Sequence, residues 1–293
     1  MIEEKKLKLG IPKGSLEEKT IELFGKAGYK IIRSSRSYFP KIDDPEIDVM
    51  LVRPQEIPRY VCDGILDTGI CGKDWVIENK VDVFEVCGLS YSKDTNLPAR
   101  WVLAVPEDSP IKEPKGLNNK TIATELVQVT KDYLKNKGIS ANVEFSWGAT
   151  EAKPPLLCDA IVELVETGTT LFAHKLKIID TVLVSMTVLI ANKDAMNNEW
   201  KKGEIEKIAI LLKGALESYK KVGLKMNLRK ENLDKIIKIV PALRKPTISY
   251  LTDEDWLALE TVVDEEIVRK IIPELKRNGV EGIVEYPLNK IVY

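Results

Sequence analysis

Residues 159–171 read D-A-I-V-E-L-V-E-T-G-T-T-L, and this stretch decides the fold. It begins with a short apolar run, Ala160 to Val165, that is rich in β-branched residues and interrupted by Glu163. Such a run is typical of a buried strand rather than of a helix. A Thr/Gly segment follows, Glu166 to Thr170, and then a helical pattern. The sequence therefore predicts a strand, a loop and the start of a helix in close succession.

A loop between a strand and a helix is a candidate phosphate site. The first N–H groups of a helix have no partner inside the helix, and they point outward with partial positive charge. Gly168 lets the backbone approach a ligand closely, and Thr167, Thr169 and Thr170 add hydroxyl donors. Glu163 lies near the carboxyl end of the strand, where open α/β sheets bind ligands and a carboxylate can accept bonds from sugar hydroxyls. The stretch predicts a sugar-phosphate site; the alternative is a threonine-rich helix cap that binds nothing.

Length and charge exclude several classes of protein. A chain of 293 residues is too long for one typical domain and predicts two or three. The net charge of −1 leaves no basic excess to neutralise phosphates, so we expect no nucleic-acid partner. No apolar run approaches the roughly 20 residues that span a bilayer, and the N-terminal segment does not resemble a secretion signal. We therefore expect no membrane partner and a cytoplasmic location.

The cysteines and the single histidine exclude further kinds of site. Cys62, Cys71, Cys87 and Cys158 form no C-x-x-C pair, and we interpret them as small hydrophobic residues in or near the core. His174 is the only histidine, so the chain lacks the ligand cluster of a zinc site. We expect His174 to face solvent or to pack, and no serine or cysteine lies in a motif for nucleophilic catalysis.

The order of the predicted elements indicates two lobes with mainly parallel sheets. Strands alternate with helices, and the apolar run Thr181 to Ala191 indicates a strand that returns to the first lobe. The segment Asp67 to Trp75 loosely mirrors the strand, glycine turn and helix of the deciding stretch without forming a sequence repeat, and two such units can face each other across a cleft. We assign residues 1–104 and 182–222 to lobe I, and residues 105–181 to lobe II.

The last part of the chain, residues 223–293, is predicted to be a separate domain. Its elements follow the order βαββαβ, which is the ferredoxin-like arrangement. Pro273 falls inside the second predicted helix of this domain, and it predicts a kink or a break there.

Two basic residues are placed at the ends of predicted strands. Lys13 lies between the first strand and the first helix, and Arg53 follows the second strand. A lysine can reach a phosphate as a mobile charge, and an arginine can form a forked pair with an anion. The alternative is that both are ordinary solvated side chains.

Several of these segments resemble the long form of ATP phosphoribosyltransferase, and the resemblance covers nearly the whole chain. The motifs that carry it are I-P-K-G-S-L at 11–16, D-T-G-I-C-G-K-D-W at 67–75, V-E-T-G-T-T-L at 165–171, P-T-I-S at 246–249 and G-V-E-G-I-V at 279–284. The resemblance implies transfer of a phosphoribosyl group from phosphoribosyl pyrophosphate to N1 of the adenine of ATP. Pyrophosphate leaves, and Mg²⁺ accompanies the polyanions. It also implies two lobes like those of periplasmic binding proteins, a C-terminal domain that binds histidine as feedback inhibitor, and a homo-oligomer ranging from dimer to hexamer.

The resemblance also implies roles for individual residues. Glu163 would bind the ribose hydroxyls, and the loop that follows it would hold the 5′-phosphate of the phosphoribosyl substrate. The residues of that loop are Glu166, Thr167, Gly168, Thr169, Thr170 and Leu171. Lys13 and Arg53 would act catalytically, and with Gly14 they would face the phosphates of ATP or the pyrophosphate. The other residues that would line the cleft are Gly72, Asp74 and Glu151, and those that would contact histidine are Asn227, Leu243 and Thr247. The metal-contacting residues stay unassigned.

The chain departs from the family pattern at two positions. Family members usually carry arginine where this chain has Ser15, and they often carry aspartate where it has Glu163. Two alternatives from other classes stay open: a non-catalytic, two-lobed solute-binding protein, and an intracellular sensor that uses its C-terminal domain.

Overall fold

A computed structural model describes residues 5–34, 37–91, 99–166, 168–241 and 245–293 of the chain. The chain divides into two compact units, Met1–Ala209 and Ile210–Tyr293. This division falls within a long helix, Glu199–Glu217, whereas the boundary predicted from the sequence lies at 222/223, after that helix. A long amphipathic helix can belong to two units at once, which its periodicity alone does not show.

The first unit is built from two five-stranded sheets, a small two-stranded sheet formed by Ile31–Ile32 and Lys41–Ile42, and the helices around them. Its strands are β1 (Leu7–Pro12), β2 (Ile31–Ile32), β3 (Lys41–Ile42), β4 (Ile47–Val52), β5 (Thr68–Gly72), β6 (Phe84–Leu89), β7 (Ala99–Pro106), β8 (Thr121–Thr124), β9 (Asn142–Phe145), β10 (Ala160–Val165), β11 (Leu176–Ser185) and β12 (Thr187–Ala191). Its helices are α1 (Glu17–Ala27), α2 (Ile57–Cys62), α3 (Lys73–Asn79), α4 (Val127–Asn136), α5 (Thr169–Ala173), α6 (Lys193–Asn197) and α7 (Glu199–Glu217), the last of which continues into the second unit.

The two sheets of five strands are both mixed. The first has the order β4-β1-β5-β12-β6, and the second has the order β11-β7-β10-β8-β9. In the first sheet β1 pairs in parallel with β4 and β5, whereas β12 pairs antiparallel with β5 and β6. In the second sheet β10 and β9 pair in parallel with β8, whereas β7 pairs antiparallel with β10 and β11. The α/β fold with two lobes is confirmed, and parallel pairing accounts for half of each sheet.

The antiparallel pairings in each sheet involve the strands that carry the chain between the lobes. The apolar run Thr181 to Ala191, predicted as one strand, is shared by two strands of different sheets, β11 and β12, with Met186 between them. The predicted lobe boundaries at 104/105 and 181/182 fall inside β7 and β11, and both strands lie wholly in the second sheet. Hydrophobicity continues through Met186, so it gives no sign of the change of sheet.

The deciding stretch forms the centre of the second sheet. The predicted strand at Ala160 to Val165 is confirmed as β10. Its two faces pack into two different clusters, with Val162 beside Trp101 in one and Ile161 beside Leu171 in the other. A strand buried on both faces reads as a continuous apolar run, which is why its sequence identifies it well.

The second unit confirms the ferredoxin-like prediction. Its elements are β13 (Lys221–Arg229), α8 (Leu233–Ile239), β14 (Thr247–Tyr250), β15 (Trp256–Asp264), α9 (Glu265–Arg277) and β16 (Glu281–Pro287). The sheet has the order β14-β15-β13-β16, and its pairings are antiparallel. Its core joins one sheet face to both helices, through residues such as Met226, Leu259, Ile236 and Ile271.

The break predicted at Pro273 is absent, because α9 runs without interruption from Glu265 to Arg277. Pro273 and Arg269, whose carbonyl loses its usual helical donor, are both exposed. Water can therefore satisfy that carbonyl, while Val268, Ile271 and Leu275 hold the opposite face in the core.

The structure also confirms the interpretation of the cysteines and of His174. None of the four cysteines forms a disulfide in the described residues; Cys71 and Cys158 are buried, and Cys62 and Cys87 are half-buried. His174 is exposed, and its Nδ1 lies 3.0 Å from the carbonyl oxygen of Thr170. In the described part of the chain no helix combines the length and the apolar character that a membrane span requires.

Candidate active site

A cavity of about 510 Å³ lies in the first unit, with walls from both five-stranded sheets and the segments that follow their strands. Most of the predicted site residues line it. They are Gly72, Asp74, Glu151, Glu163, Glu166, Gly168, Thr169, Thr170 and Leu171. Thr167 lies outside the described residues. The two strand–loop–helix units predicted to face each other, β5 with α3 and β10 with α5, therefore contribute to one cavity.

The loop after β10 leaves open space in front of its backbone. Gly168 adopts a left-handed conformation with φ of 82°, and a Cβ atom placed there would meet no atom within 4 Å. Thr169 and Thr170 are exposed, whereas Leu171 is buried in the core and anchors the segment. The helix α5 begins earlier than the sequence predicts and has only five residues. Its contribution to anion binding is therefore limited to its first N–H groups, because so short a helix has little macrodipole.

Glu163 is half-buried in the cavity wall. Its Oε1 accepts a 3.2 Å bond from the N–H of Leu164, and its carboxylate also bonds with the Thr150 hydroxyl. Burial raises the pKa of Glu163 from 4.5 to about 7, assisted by the negative charges of Glu125 and Glu151, while the two hydrogen bonds act in the opposite direction. Glu163 is therefore close to half-ionised near neutral pH in the ligand-free protein.

Asp74 joins the two sheets across the cavity wall. It is 3% exposed, and its Oδ2 accepts a 2.5 Å bond from Nε1 of Trp101 on β7. The backbone N–H of Asp74 donates to Oγ of Ser185 at the end of β11, 3.1 Å away. Trp75 packs edge to face on Trp101, with ring centroids 5.9 Å apart. Burial raises the pKa of Asp74. These contacts connect the first-sheet wall of the cleft with the second sheet at Asp74.

Glu78 makes a second connection between the lobes, which the sequence analysis missed. Its carboxylate oxygens accept bonds of 2.9 and 3.0 Å from the backbone N–H groups of Gln128 and Val129, at the start of α4. The residue before this helix, Leu126, has no side chain that could cap it. The lack of a capping side chain before α4 indicates that another group must satisfy its first N–H groups. The sequence does not show which distant carboxylate does so.

The predicted basic residues lie together beside the cavity rather than in its lining. Lys13 and Arg53 follow β1 and β4, whose ends Pro12 and Val52 are directly paired. Nζ of Lys13 lies 3.7 Å from the ring centroid of Tyr38. Gly14 has φ of 107°, and a Cβ there would lie 3.6 Å from Nη1 of Arg53. The next residues in the chain, Ser15, Pro54 and Gln55, do line the cavity. Both cations are thus within one or two residues of its wall.

The donor set of the cavity limits how a metal could be held. Among the described residues, no group of three or more His, Cys, Asp or Glu side chains is arranged to hold a metal ion. Mg²⁺ is commonly bound by one or two carboxylates together with substrate phosphates and water. The described residues therefore form no separate metal cage, and Mg²⁺ that arrives with a polyphosphate would depend mainly on phosphate oxygens and water.

In the second unit, two of the three residues predicted to contact histidine share one face of the sheet. Asn227 is paired with Ala258, and Thr247 is paired with Glu260, two residues further along β15. Paired residues of antiparallel strands point to the same face, which here is the face opposite the two helices. Leu243 lies outside the described residues.

Known proteins resemble this chain over both units. A family model described as ATP phosphoribosyltransferase matches residues 53–214, and one described as HisG, C-terminal domain, matches residues 219–290. The ATP phosphoribosyltransferase of Chlorobaculum parvum is 56% identical over 286 residues, or 98% of this chain and 97% of that protein. That of Solibacter usitatus is 58% identical over 286 residues, or 98% and 99% of the two chains. A chain of the ATP phosphoribosyl transferase (HisG:HisZ) complex from Thermotoga maritima matches with a TM-score of 0.60 and 31% identity, covering 70% of this chain and 98% of that one.

Proposed function

Because this chain belongs to the ATP phosphoribosyltransferase family, we propose that the cavity between its two sheets is where its substrates react. The enzyme is a pentosyltransferase that moves a phosphoribosyl group from phosphoribosyl pyrophosphate to N1 of the adenine of ATP, with release of pyrophosphate. The two non-catalytic alternatives are thereby set aside. The observation that carries the site assignment is that two strand–loop–helix units, distant in sequence, line the same cavity.

The phosphoribosyl substrate occupies the wall formed by β10 and the loop after it. Glu163 accepts hydrogen bonds from the ribose hydroxyls, and the backbone and hydroxyls of Thr167 to Thr170 hold the 5′-phosphate. The open space in front of Gly168 and the exposure of Thr169 and Thr170 support this placement. Glu166 and Leu171 complete the loop at its two ends.

ATP approaches from the wall formed by the first sheet. Lys13, Gly14 and Arg53 face its phosphates or the departing pyrophosphate, while Gly72, Asp74 and Glu151 shape the cleft. The placement of the two cations at the paired ends of β1 and β4 supports a shared anion site. Ser15, at the position where family members usually carry arginine, lines the cavity.

The reaction is a displacement at the anomeric carbon, and it needs no covalent nucleophile. The bond to pyrophosphate breaks as the lone pair of adenine N1 forms the new bond, so positive charge develops on the sugar and negative charge on the leaving group. Carboxylates on one side and cations on the other stabilise these charges, and binding both substrates in one cavity supplies proximity and orientation. Mg²⁺ that accompanies the pyrophosphate would neutralise part of its charge.

The purified protein tests this assignment directly. With both substrates and Mg²⁺, we expect phosphoribosyl-ATP to form, which an absorbance assay follows, and pyrophosphate to appear in equal amount. Lys13→Ala and Arg53→Ala should each lower kcat/KM by about 10-fold to 100-fold, since each removes a charge-assisted contact of about 1.5–3 kcal/mol. Full activity in both variants would show that neither Lys13 nor Arg53 belongs to the active site.

The second unit is the regulatory part of the enzyme. Histidine binds there as feedback inhibitor, on the sheet face that carries Asn227 and Thr247, and Leu243 adds an apolar contact. The common face of Asn227 and Thr247, and the match of this unit to the C-terminal domain family, support this role. Inhibition is a coupling free energy between this site and the catalytic cavity.

We expect Thr247→Val to weaken inhibition by histidine about fivefold to tenfold while catalysis stays near normal. The substitution keeps the shape of an exposed side chain but removes one hydroxyl, and one hydrogen bond contributes about 0.5–1.5 kcal/mol. Inhibition curves measure the effect, and Thr252→Val, in the exposed turn before β15, is the matched control. Identical curves for the unchanged protein and both variants would exclude Thr247 from the inhibitor site.

The chain acts as a homo-oligomer, from dimer to hexamer, in the cytoplasm. The related Thermotoga maritima protein is described as a HisG:HisZ complex, which supports assembly, and the biosynthetic role of the family supports a cytoplasmic location.

A further inference from the structure

A line of hydrogen bonds connects Lys153 with Glu163 through two buried hydroxyls. Nζ of Lys153 lies 2.5 Å from Oγ of Ser146, which in turn lies 2.8 Å from Oγ1 of Thr150. The Thr150 side chain hydrogen-bonds to the carboxylate of Glu163. Ser146 and Thr150 are 0% and 1% exposed, whereas Lys153 is half-buried. Of these four residues, only Glu163 lines the cavity.

A tight turn after β9 brings the three partners together. The N–H of Ser146 continues the sheet by donating to the carbonyl of Thr124, 2.9 Å away. Ala149 then adopts a left-handed conformation with φ of 48°, and a short 3₁₀ turn, Thr150–Ala152, follows it. These features place Thr150 beside Ser146 and bring Lys153 back over both hydroxyls.

The two ends of this line fix the direction of every hydrogen bond in it. A lysine ammonium can only donate, and an ionised carboxylate can only accept. Ser146 therefore accepts from Lys153 and donates its own proton to Thr150, which donates in turn to Glu163. In the reverse direction, Oγ of Ser146 would accept from both Lys153 and Thr150, and the buried Ser146 proton would have no acceptor among these partners. Leaving a buried donor without an acceptor is unfavourable, so the lysine end favours the order that serves an ionised Glu163.

We propose that Lys153 is a positioning residue for the reaction, which acts through Ser146 and Thr150 to hold Glu163 as an oriented, ionised acceptor. The proposal rests on the function proposed above for Glu163, the binding of the ribose hydroxyls. The carboxylate accepts one bond from the N–H of Leu164 and one from Thr150, and its two oxygens together have about four acceptor sites, so capacity remains for the substrate. Lys153 touches neither substrate nor cavity, so its effect on binding passes through the two hydroxyls.

The charged groups around Glu163 explain why the carboxylate needs a fixed hydrogen-bond donor. Glu125 and Glu151 face it from the cavity wall, and their charges, together with burial, favour its protonated form. The Thr150 hydroxyl and the N–H of Leu164 favour the ionised form. Lys153 is the cation at the far end of the line. Without a fixed donor at Thr150 the pKa of Glu163 should rise further above 7, and less of the carboxylate would be ionised at neutral pH.

Carbon-13 NMR of glutamate-labelled protein tests the proposal without any substrate. The Glu163 carboxyl signal is assigned by its loss in Glu163→Gln, and its pKa is followed from pH 5 to 9. We expect Lys153→Met and Ser146→Ala each to raise that pKa by about one unit, and Lys153→Arg to restore the original value. Lys131→Met removes an exposed lysine of the same unit and should leave the titration unchanged. A shift in Lys153→Met without one in Ser146→Ala would mean that only long-range charge acts, and would overturn the proposal, as would coincident titrations in all variants.

Binding of phosphoribosyl pyrophosphate shows whether a failure concerns the positioning role of Lys153 or the proposed function of Glu163. Calorimetric titration of the same proteins should show affinity falling at low pH, with the midpoint moved upward by about one unit in Lys153→Met and Ser146→Ala. Titration of the ligand's own phosphates is common to all variants and cancels in the comparison. If the unchanged protein does not bind this ligand at any pH, the proposed role of Glu163 fails, whatever the NMR result. If it binds with identical pH dependence in every variant, only the positioning role of Lys153 fails.

Discussion

Gly168→Val is expected to raise the Kd for phosphoribosyl pyrophosphate at least about 100-fold while the protein stays folded. Gly168 has φ of 82°, a conformation that costs an L-residue with a β-branched side chain roughly 1–2 kcal/mol or more. The local surroundings are open, so the valine would have room, but it would stand where the phosphate meets the backbone. Losing one or two charge-assisted N–H contacts of about 1.5–3 kcal/mol each accounts for a change of this size.

Gly138→Val is the matched control for this substitution. Gly138 also has positive φ, 68°, and open surroundings, but it follows the last turn of α4 and does not line the cavity. Both variants should lose similar thermal stability, because both impose the same kind of backbone strain. Calorimetric titration should show the loss of binding in Gly168→Val alone. Intact binding in Gly168→Val would contradict the phosphate role of this loop.

The sequence predicts those parts of the site that depend on local chemistry. The stretch 159–171 combines a strand buried on both faces, a glycine with positive φ and hydroxyl side chains. Each of these features can be recognised from the types of residue in the local sequence. The same is true of the ferredoxin-like unit, whose strands and helices alternate with clear periods. Pro273 is an instructive exception, since its effect depends on whether its helix face meets water or protein.

Contacts between segments that are distant in sequence could not be predicted from the sequence. Asp74 was placed in the cleft, but its partner Trp101 is 27 residues away, and Glu78 caps a helix that begins about 50 residues later. Neither pair has a local signature, because the fold alone brings the two partners together. For the same reason the change of sheet at Met186 was missed: β11 and β12 form one apolar run, and only strand pairing separates them.

Glu163→Gln is expected to stabilise the ligand-free protein at pH 8 and to weaken substrate binding at the same pH. Burial raises the pKa of Glu163 from 4.5 to about 7, so the folded protein holds this proton more tightly than the unfolded chain. The resulting stabilisation is fully present below pH 4.5 and is lost as the pH rises through 7. Above that range the ionised carboxylate costs up to about 3 kcal/mol, taking about 1.36 kcal/mol per pKa unit over a shift of about 2.5 units.

Glutamine has nearly the same shape but no charge, so it removes that cost. Chemical denaturation should show a gain of roughly 2–3 kcal/mol at pH 8 that shrinks as the pH falls and vanishes well below pH 4.5, where Glu163 is protonated in both states. Glu113→Gln, at an exposed position outside the cavity, controls for the loss of one negative charge. The Kd for phosphoribosyl pyrophosphate should rise about 10-fold to 100-fold, since the ribose hydroxyls lose a charged acceptor. Opposite changes in stability and affinity from one substitution identify a carboxylate kept for binding at the expense of the fold. A variant that binds normally, or whose stability at pH 8 does not change, would show that Glu163 serves only the fold.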